Sequence, residues 1–250
     1  MVLTSPAARR LRVARIANVL EKYLGLPRRS KPLPPPLDTL IATILSQNTS
    51  DKNSHRAYTN LRKKFPAWKD VADSSVAQIR PAIRIGGMSN QKAPRIQKVL
   101  RAVWDRHGAY DLEALRRKSN DAIMRELTAL DGVGAKTAAC VLVFSLGRDV
   151  FPVDTHIHRI CNRLSLVEHC PTPEKTFEAM RTLIPKGKAY SFHTNLIRFG
   201  RKVCRSASPA CDQCPLFAEC RYPAKRRQRL TGGRQSGADH DFMLLDNVNR

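Results

Sequence analysis

The sequence lacks any apolar stretch long enough to cross a bilayer, and this excludes a membrane-spanning protein. Residues 1–15 alternate arginine with aliphatic residues where a secretory signal would need a continuous apolar segment. We therefore expect a soluble intracellular protein, cytoplasmic if the source is prokaryotic. Of its 250 residues 42% are hydrophobic, which suffices for an ordinary core in one large domain or two smaller ones.

Acidic residues are also scarce, because 21 Asp and Glu stand against 44 Lys and Arg, a net charge of +23. Setting aside residues 1–31 and 221–250 leaves a charge of +12 on the remainder, so the basic excess belongs to the folded body. A basic surface that is merely solvated is one reading. A polyanionic partner is favoured, and nucleic acid is the commonest one in a cell.

No run of residues alternates as a β-strand does, and the predicted fold class is all-α with more than ten short helices. Ser5 and Pro6 begin a first helix that Gly25 ends, and five prolines make residues 27–36 a rigid connector. Further helices are predicted at about residues 37–47, 51–64, 74–83, 90–107, 119–130, 135–146, 155–164, 173–184 and 188–199. Residues predicted to end helices are Pro66, Gly108, Gly132, Gly147 and Gly200.

Four of the seven cysteines form the pattern C-x6-C-x2-C-x5-C within seventeen residues: Cys204, Cys211, Cys214 and Cys220. Packing does not require four thiols on a short loop rich in serine and proline. Four soft ligands around one centre do require it, and thiolates suit either zinc or an iron–sulfur cluster. The other cysteines are expected to be free thiols: Cys140, Cys161 and Cys170.

Residues 130–139 read Leu-Asp-Gly-Val-Gly-Ala-Lys-Thr-Ala-Ala and lie between two predicted helices. Gly132 and Gly134 allow positive φ and a close approach of the backbone, and Val133 between them can enter the core. The amides at the start of the next helix favour an anion. For a basic protein we expect a DNA phosphate, held without any reading of sequence.

Lys136 lies in the first turn of that next helix, where it could contact a phosphate or act as a nucleophilic amine. Burial beside the positive end of the helix dipole favours the uncharged amine. Asp154 opens the helix that continues to Leu164 and is expected to cap it. A capped carboxylate stays ionised and oriented, so it could also stabilise positive charge on a sugar or assist the amine.

Taken together, residues 130–139, residues 153–164 and the four cysteines resemble the endonuclease III family of helix–hairpin–helix DNA glycosylases, in matching order over roughly residues 10–222. The resemblance implies two helical domains with DNA bound in the cleft between them. Its implied domains are a six-helix barrel at residues 38–148 and a cluster domain from residues 1–37 and 149–222. Residues 223–250 lie outside the resemblance, and their composition predicts a basic, disordered tail.

The resemblance further implies that the cysteines hold a [4Fe–4S] cluster, next to a basic DNA-contacting loop that includes Lys202 and Arg205. It implies a base excision repair enzyme, both glycosylase and abasic-site lyase, that flips a damaged pyrimidine out of the duplex. Lys136 would attack C1′ of the sugar and form a Schiff base, assisted by Asp154. The expected partner is double-stranded DNA with a damaged or mismatched base or an abasic site. The protein is expected to act as a monomer, associated with the nucleoid if its source is prokaryotic.

Two loops depart from the usual family pattern. The glutamine that fills the gap left by a flipped base corresponds to Asn48 in ungapped register, with Gln47 one residue earlier. Met88 replaces the usual wedge leucine, and Ser89 stands where an aromatic residue is common. Oxidised pyrimidines are the expected substrates, with mismatched thymine or uracil as the alternative. A non-catalytic, cluster-bearing DNA-binding protein is the rival of another class.

Overall fold

The structure is a computed structural model, and it describes residues 5–226. That range is helical, without a strand, and contains eleven α-helices. In chain order they are α1 (Pro6–Leu24), α2 (Pro36–Ser46), α3 (Asp51–Lys64), α4 (Trp68–Asp73), α5 (Val76–Ile83), α6 (Ser89–His107), α7 (Asn120–Thr128), α8 (Ala135–Cys140), α9 (Thr155–Arg163), α10 (Pro173–Met180) and α11 (Ala189–Lys202).

The described residues form two compact units. The first unit combines residues 5–28 with residues 149–226, and the second consists of residues 29–148. The proline-rich connector thus belongs to the second unit, whereas the resemblance assigns residues 1–37 to the cluster domain. The predicted domain roles themselves stay predictions.

The second unit is organised around α2, which is buried over almost its whole length and packs against α3, α6 and α8. The leucines and isoleucines of α2 share one face, and the opposite face carries Thr39, Ala42 and Thr43, which are buried as well, so the helix lies within the core. Asp38 is accommodated because its Oδ1 accepts a hydrogen bond of 2.6 Å from Nε1 of Trp68. The buried helix ends at Ser46, so the next residues emerge at the surface from a fixed support.

The first unit joins the two ends of the described chain. Helix α11 packs against α1 and α9, and Asn195 on α11 donates to the backbone oxygen of Gly25 at 2.9 Å. Arg12 on α1 donates to the backbone oxygen of Glu219 at 2.7 Å. The cysteine-bearing segment is therefore tied to the first helix of the protein.

Two helix predictions differ from the structure. Gly200 was predicted to end a helix, which is wrong, since α11 continues to Lys202. A Cβ at Gly200 would lie 3.0 Å from Cβ of His156 and 3.1 Å from Cδ1 of Ile160, so this glycine permits close packing on α9. Helix α4 was not predicted, because six residues are too few to show a helical period.

No helix within residues 5–226 is both long and apolar enough to cross a membrane. The predicted disordered tail lies outside the described residues from residue 227 onward.

Candidate functional site

The predicted hairpin lies between α7 and α8. Gly132 has φ +75°, in the left-handed region that glycine adopts without strain, and the side chain of Val133 is buried. The amide of Val133 closes the turn by donating to the backbone oxygen of Leu130 at 3.1 Å. Gly134 has φ −86°, so of the two glycines only Gly132 adopts a positive φ. It is exposed, and a Cβ placed there would meet no atom within 4 Å.

An arginine that the sequence reasoning missed covers this hairpin. A Cβ at Gly132 would lie 2.1 Å from Nε of Arg95, so any other residue here would have to displace that side chain. Nη1 of Arg95 donates to Oε1 of Gln47 at 3.1 Å, and Nε2 of Gln47 donates to Oγ1 of Thr137 at 3.5 Å. These contacts join α6, the end of α2 and α8 beside Lys136.

Lys136 is the second residue of α8 and is half-buried. The residues that follow it in α8, Thr137 to Cys140, are buried, and the chain continues as a buried π-helical turn at Val141–Ser145. Such turns are frequent at functional sites. Lys136 therefore stands at the start of a tightly packed, buried segment.

The loop after α2 separates the two candidate gap-filling amides. Gln47 is half-buried and engaged by Arg95 and Thr137. Asn48 is exposed, has φ +53° and donates from Nδ2 to Sδ of Met88 at 3.6 Å. Asn48 is thus the amide that reaches the surface, and it does so beside Met88.

Met88 directly precedes α6 with φ +52°, and it is 42% exposed. Met88 thus presents an apolar side chain to solvent from a left-handed backbone, a conformation that non-glycine residues adopt rarely. Met88 and Asn48 meet at their tips.

Asp154 lies in the other compact unit, where it is the N-cap of α9. Its Oδ1 accepts a hydrogen bond of 2.8 Å from the amide of Ile157. The carboxylate is half-buried, and capping engages one of its two oxygens. The nearby His158 hydrogen-bonds to Oγ1 of Thr176 at 2.8 Å.

All four cysteines of the C-x6-C-x2-C-x5-C pattern line one pocket. Its wall is completed by apolar side chains, among them Leu164, Phe199 and Phe217. Burial raises the pKa of the Cys214 thiol to about 11, and the other three cysteines are close enough to contribute to the rise. Within residues 5–226, however, no group of three or more His, Cys, Asp or Glu side chains could hold a single metal ion.

Two of the sulfurs receive hydrogen bonds. Nη1 of Arg163 donates to Sγ of Cys204 at 3.5 Å, and the amide of Tyr222 donates to Sγ of Cys220 at 3.5 Å. N–H donors of this kind stabilise thiolate more than thiol. Cys204 and Cys220 therefore each have a donor that favours the thiolate, whereas burial favours the thiol at Cys214.

The predicted basic loop borders this pocket. Lys202 is the last residue of α11 and is exposed. Arg205, also exposed, donates from Nη2 to the backbone oxygen of Ser208 at 2.9 Å and so braces the loop. Both cations flank Cys204 and face solvent, where a phosphate can reach them.

A family model for HhH-GPD superfamily base excision DNA repair proteins matches residues 41–186, more than half of the chain. The chain belongs to this superfamily. The matched range contains the hairpin, Lys136 and Asp154, and it ends before the four cysteines. The predicted family is thereby confirmed.

This HhH-GPD protein is 34% identical over 191 residues to endonuclease III of Thermotoga maritima, covering 76% of the chain and 85% of that relative. It is 36% identical over 192 residues to a provisionally named DNA glycosylase of Arabidopsis thaliana, covering 72% of the chain but only 64% of the plant protein. A solved structure of a trapped endonuclease III–DNA covalent intermediate matches with a TM-score of 0.71 and 27% identity, covering 85% of the chain and 95% of that structure. The protein is of the endonuclease III type, and its all-α fold is confirmed.

Proposed function

We propose that the protein is a bifunctional DNA glycosylase and abasic-site lyase that removes damaged pyrimidines from double-stranded DNA. The expected damaged bases are oxidised pyrimidines. The proposal rests mainly on the position of Lys136, which is half-buried in the first turn of the helix that follows the hairpin. Two similar proteins support the proposal: an endonuclease III that is 34% identical, and a solved endonuclease III structure of similar fold that was trapped covalently on DNA. The protein would act as a monomer, in the nucleoid if its source is prokaryotic.

The chemistry assigned to Lys136 begins with attack of its neutral Nζ on C1′ of the flipped nucleotide. The new N–C bond forms as the glycosidic bond breaks, and the base leaves with the electron pair of that bond and is then protonated. Loss of a proton from nitrogen and opening of the sugar give an imine at C1′. The imine acidifies the C2′ proton, whose removal expels the 3′ phosphate by β-elimination.

Asp154 is assigned the stabilisation of positive charge on the sugar and help in freeing the amine. The cap fixes one carboxylate oxygen on the Ile157 amide, so the group is oriented before the substrate binds. An oriented charge stabilises a developing cation without reorganising during the reaction.

The hairpin and the basic loop are assigned to the DNA backbone. Gly134 is exposed and has no side chain to cover its backbone, and Gly132 and Val133 hold the turn on which it lies. Lys202 and Arg205 would contact a second stretch of phosphates. Neither contact depends on base sequence, as a repair enzyme that scans the whole genome requires.

For the orphaned base we assign Asn48 as the gap-filling amide and Met88 as the wedge. The exposure of Asn48 supports this choice over Gln47, which is engaged by Arg95 and Thr137. An apolar wedge offsets the cost of unstacking, which is a few kcal/mol per step.

We expect Asn48→Ala to slow base release from a duplex substrate about tenfold, since an unpaired base would then face no hydrogen-bonding partner. Gln47→Ala is the matched control, because it removes an amide one residue away. Single-turnover base release measures both variants. A larger loss for Gln47→Ala than for Asn48→Ala would reverse the assignment.

We further propose that Cys204, Cys211, Cys214 and Cys220 hold a [4Fe–4S] cluster. The four thiols line the walls of one pocket and do not converge on a single point, whereas zinc needs every sulfur about 2.3 Å from one centre. A cluster offers a separate iron to each thiolate. When bound it supplies a covalent cross-link that fixes the loop carrying Arg205.

Analysis of the purified holoprotein is expected to give about four irons and four acid-labile sulfides per chain, and Cys214→Ser should lose most of both. The loss should also lower thermal stability, because the loop between the cysteines would no longer be cross-linked. One zinc and no sulfide per chain would contradict the cluster assignment.

The function itself is tested by incubating the protein with duplexes that carry thymine glycol, uracil opposite guanine, thymine opposite guanine or an abasic site, in the presence of borohydride. We expect a covalent adduct with thymine glycol and with the abasic site. An adduct with the mismatches but not with thymine glycol would establish the alternative, a mismatch-directed thymine or uracil glycosylase. Base release without an adduct would remove the lyase assignment alone. Binding with neither an adduct nor base release on any of these DNAs would indicate a non-catalytic DNA-binding protein.

A further inference from the structure

Lys92, in the second turn of α6, is one of the largest fully buried side chains of the described residues and is only 1% exposed. Its Nζ donates to the backbone oxygens of Leu45 and Gly86, each at 2.8 Å. Burial lowers its pKa to about 8. A buried ammonium is costly, so a lysine kept in such a place needs a reason that packing does not supply.

The two carbonyls that Lys92 binds belong to different loops. Leu45 lies in the last turn of α2, where carbonyls have no partner within the helix, and it precedes Asn48 by three residues. Gly86 ends the short 3₁₀ turn Arg84–Gly86 and precedes Met88 by two residues. One side chain therefore connects the bases of both loops.

The tips of the same two loops need support. Asn48 and Met88 have φ values of +53° and +52°, a left-handed conformation that non-glycine residues hold only when their surroundings impose it. Gly86 is already pressed against α3, since a Cβ on it would lie 3.0 Å from Cβ of Ala57. The bond from Lys92 fixes the other loop, at Leu45, to this anchored position.

We infer that Lys92 is a positioning residue, which holds the gap-filling Asn48 and the wedge Met88 at a fixed separation while a base is extruded from the duplex. This inference rests on the proposed function. A displacement of about 1 Å in a positioning element can cost a hundredfold in rate, even when the reacting groups are untouched.

The test compares two substrates for Lys92→Met, which keeps the length of the side chain and removes its donors. We expect single-turnover base release from a thymine glycol duplex to fall 10- to 100-fold, because the base must be extruded. Cleavage of a single-stranded abasic oligonucleotide is expected to stay within about threefold of wild type, since no base remains to be extruded. Lys98→Met is the matched control, an exposed lysine of the same helix that pairs with Asp131.

Equal losses on the two substrates would overturn the inference, because they would show that Lys92 supports the active site in general. No loss on the duplex would overturn it as well. If Lys92→Met does not fold, Lys92→Gln is assayed in the same way, and the same selective loss is required. Wild-type protein that cleaves neither this oligonucleotide nor an abasic duplex would instead refute the proposed function.

Discussion

Lys136→Gln is expected to form no borohydride-trapped adduct with thymine glycol or abasic DNA, and to lower the rate of strand cleavage at least about a thousandfold. Glutamine has no amine that can add to C1′, so the imine and the elimination that depends on it are both lost. A thousandfold loss corresponds to about 4 kcal/mol of transition-state stabilisation. Quantifying adduct and cleaved strand on denaturing gels measures both effects.

Lys136→Arg separates this role from a phosphate contact, because arginine keeps the positive charge but does not form the imine. We expect Lys136→Arg to bind abasic duplex about as well as wild type and to give no adduct. Lys69→Gln controls for the loss of one charge, since Lys69 is exposed and pairs with Asp73. Adduct formation by either Lys136 variant would assign the nucleophile elsewhere.

Asp154→Asn is expected to slow base release by 10²- to 10³-fold with almost no change in stability. Asparagine caps a helix as well as aspartate does, so α9 should keep its hydrogen bond to the Ile157 amide. What the variant loses is the negative charge, and the expected cost is that of removing one oriented electrostatic group, about 3–4 kcal/mol. Single-turnover base release and urea unfolding of the same preparation measure the two quantities.

Asp154→Ala completes the comparison, since it removes cap and charge together and should lower the free energy of unfolding by about 0.5–2 kcal/mol. If Asp154→Asn released base at the wild-type rate while Asp154→Ala was merely less stable, Asp154 would be a helix cap and nothing more.

The parts of the site that the sequence predicted best are those built from short, local patterns. The sequence Gly-Val-Gly before a helix predicted the hairpin, and an aspartate before Thr155 predicted the N-cap. Both predictions succeed because turns and caps depend on neighbouring residues in the chain. Cysteine spacing brought four thiols to one pocket for the same reason. The metal, by contrast, was left open by spacing and needed the family resemblance.

What was missed depends on contacts between distant segments. Arg95 covers Gly132 across 37 positions of sequence, and Gly200 serves the packing of α11 on α9, so neither role is visible in a local pattern. Lys92 left one signal: it precedes Ile96 by four residues and thus falls on the buried stripe of α6. A charged residue on an apolar stripe is a reason to look for buried carbonyls.

The hydrogen bond from Arg12 to Glu219 spans 207 positions, and α1 packs on α11. During synthesis α1 has no packing partner until the last quarter of the chain is made. The interval between the synthesis of α1 and that of α11 is on the order of ten to forty seconds at typical rates of translation. Residues 29–148 have no such wait, since their core is complete within their own span. The unit with the lysine can thus be folded on the ribosome before the four cysteines have been made.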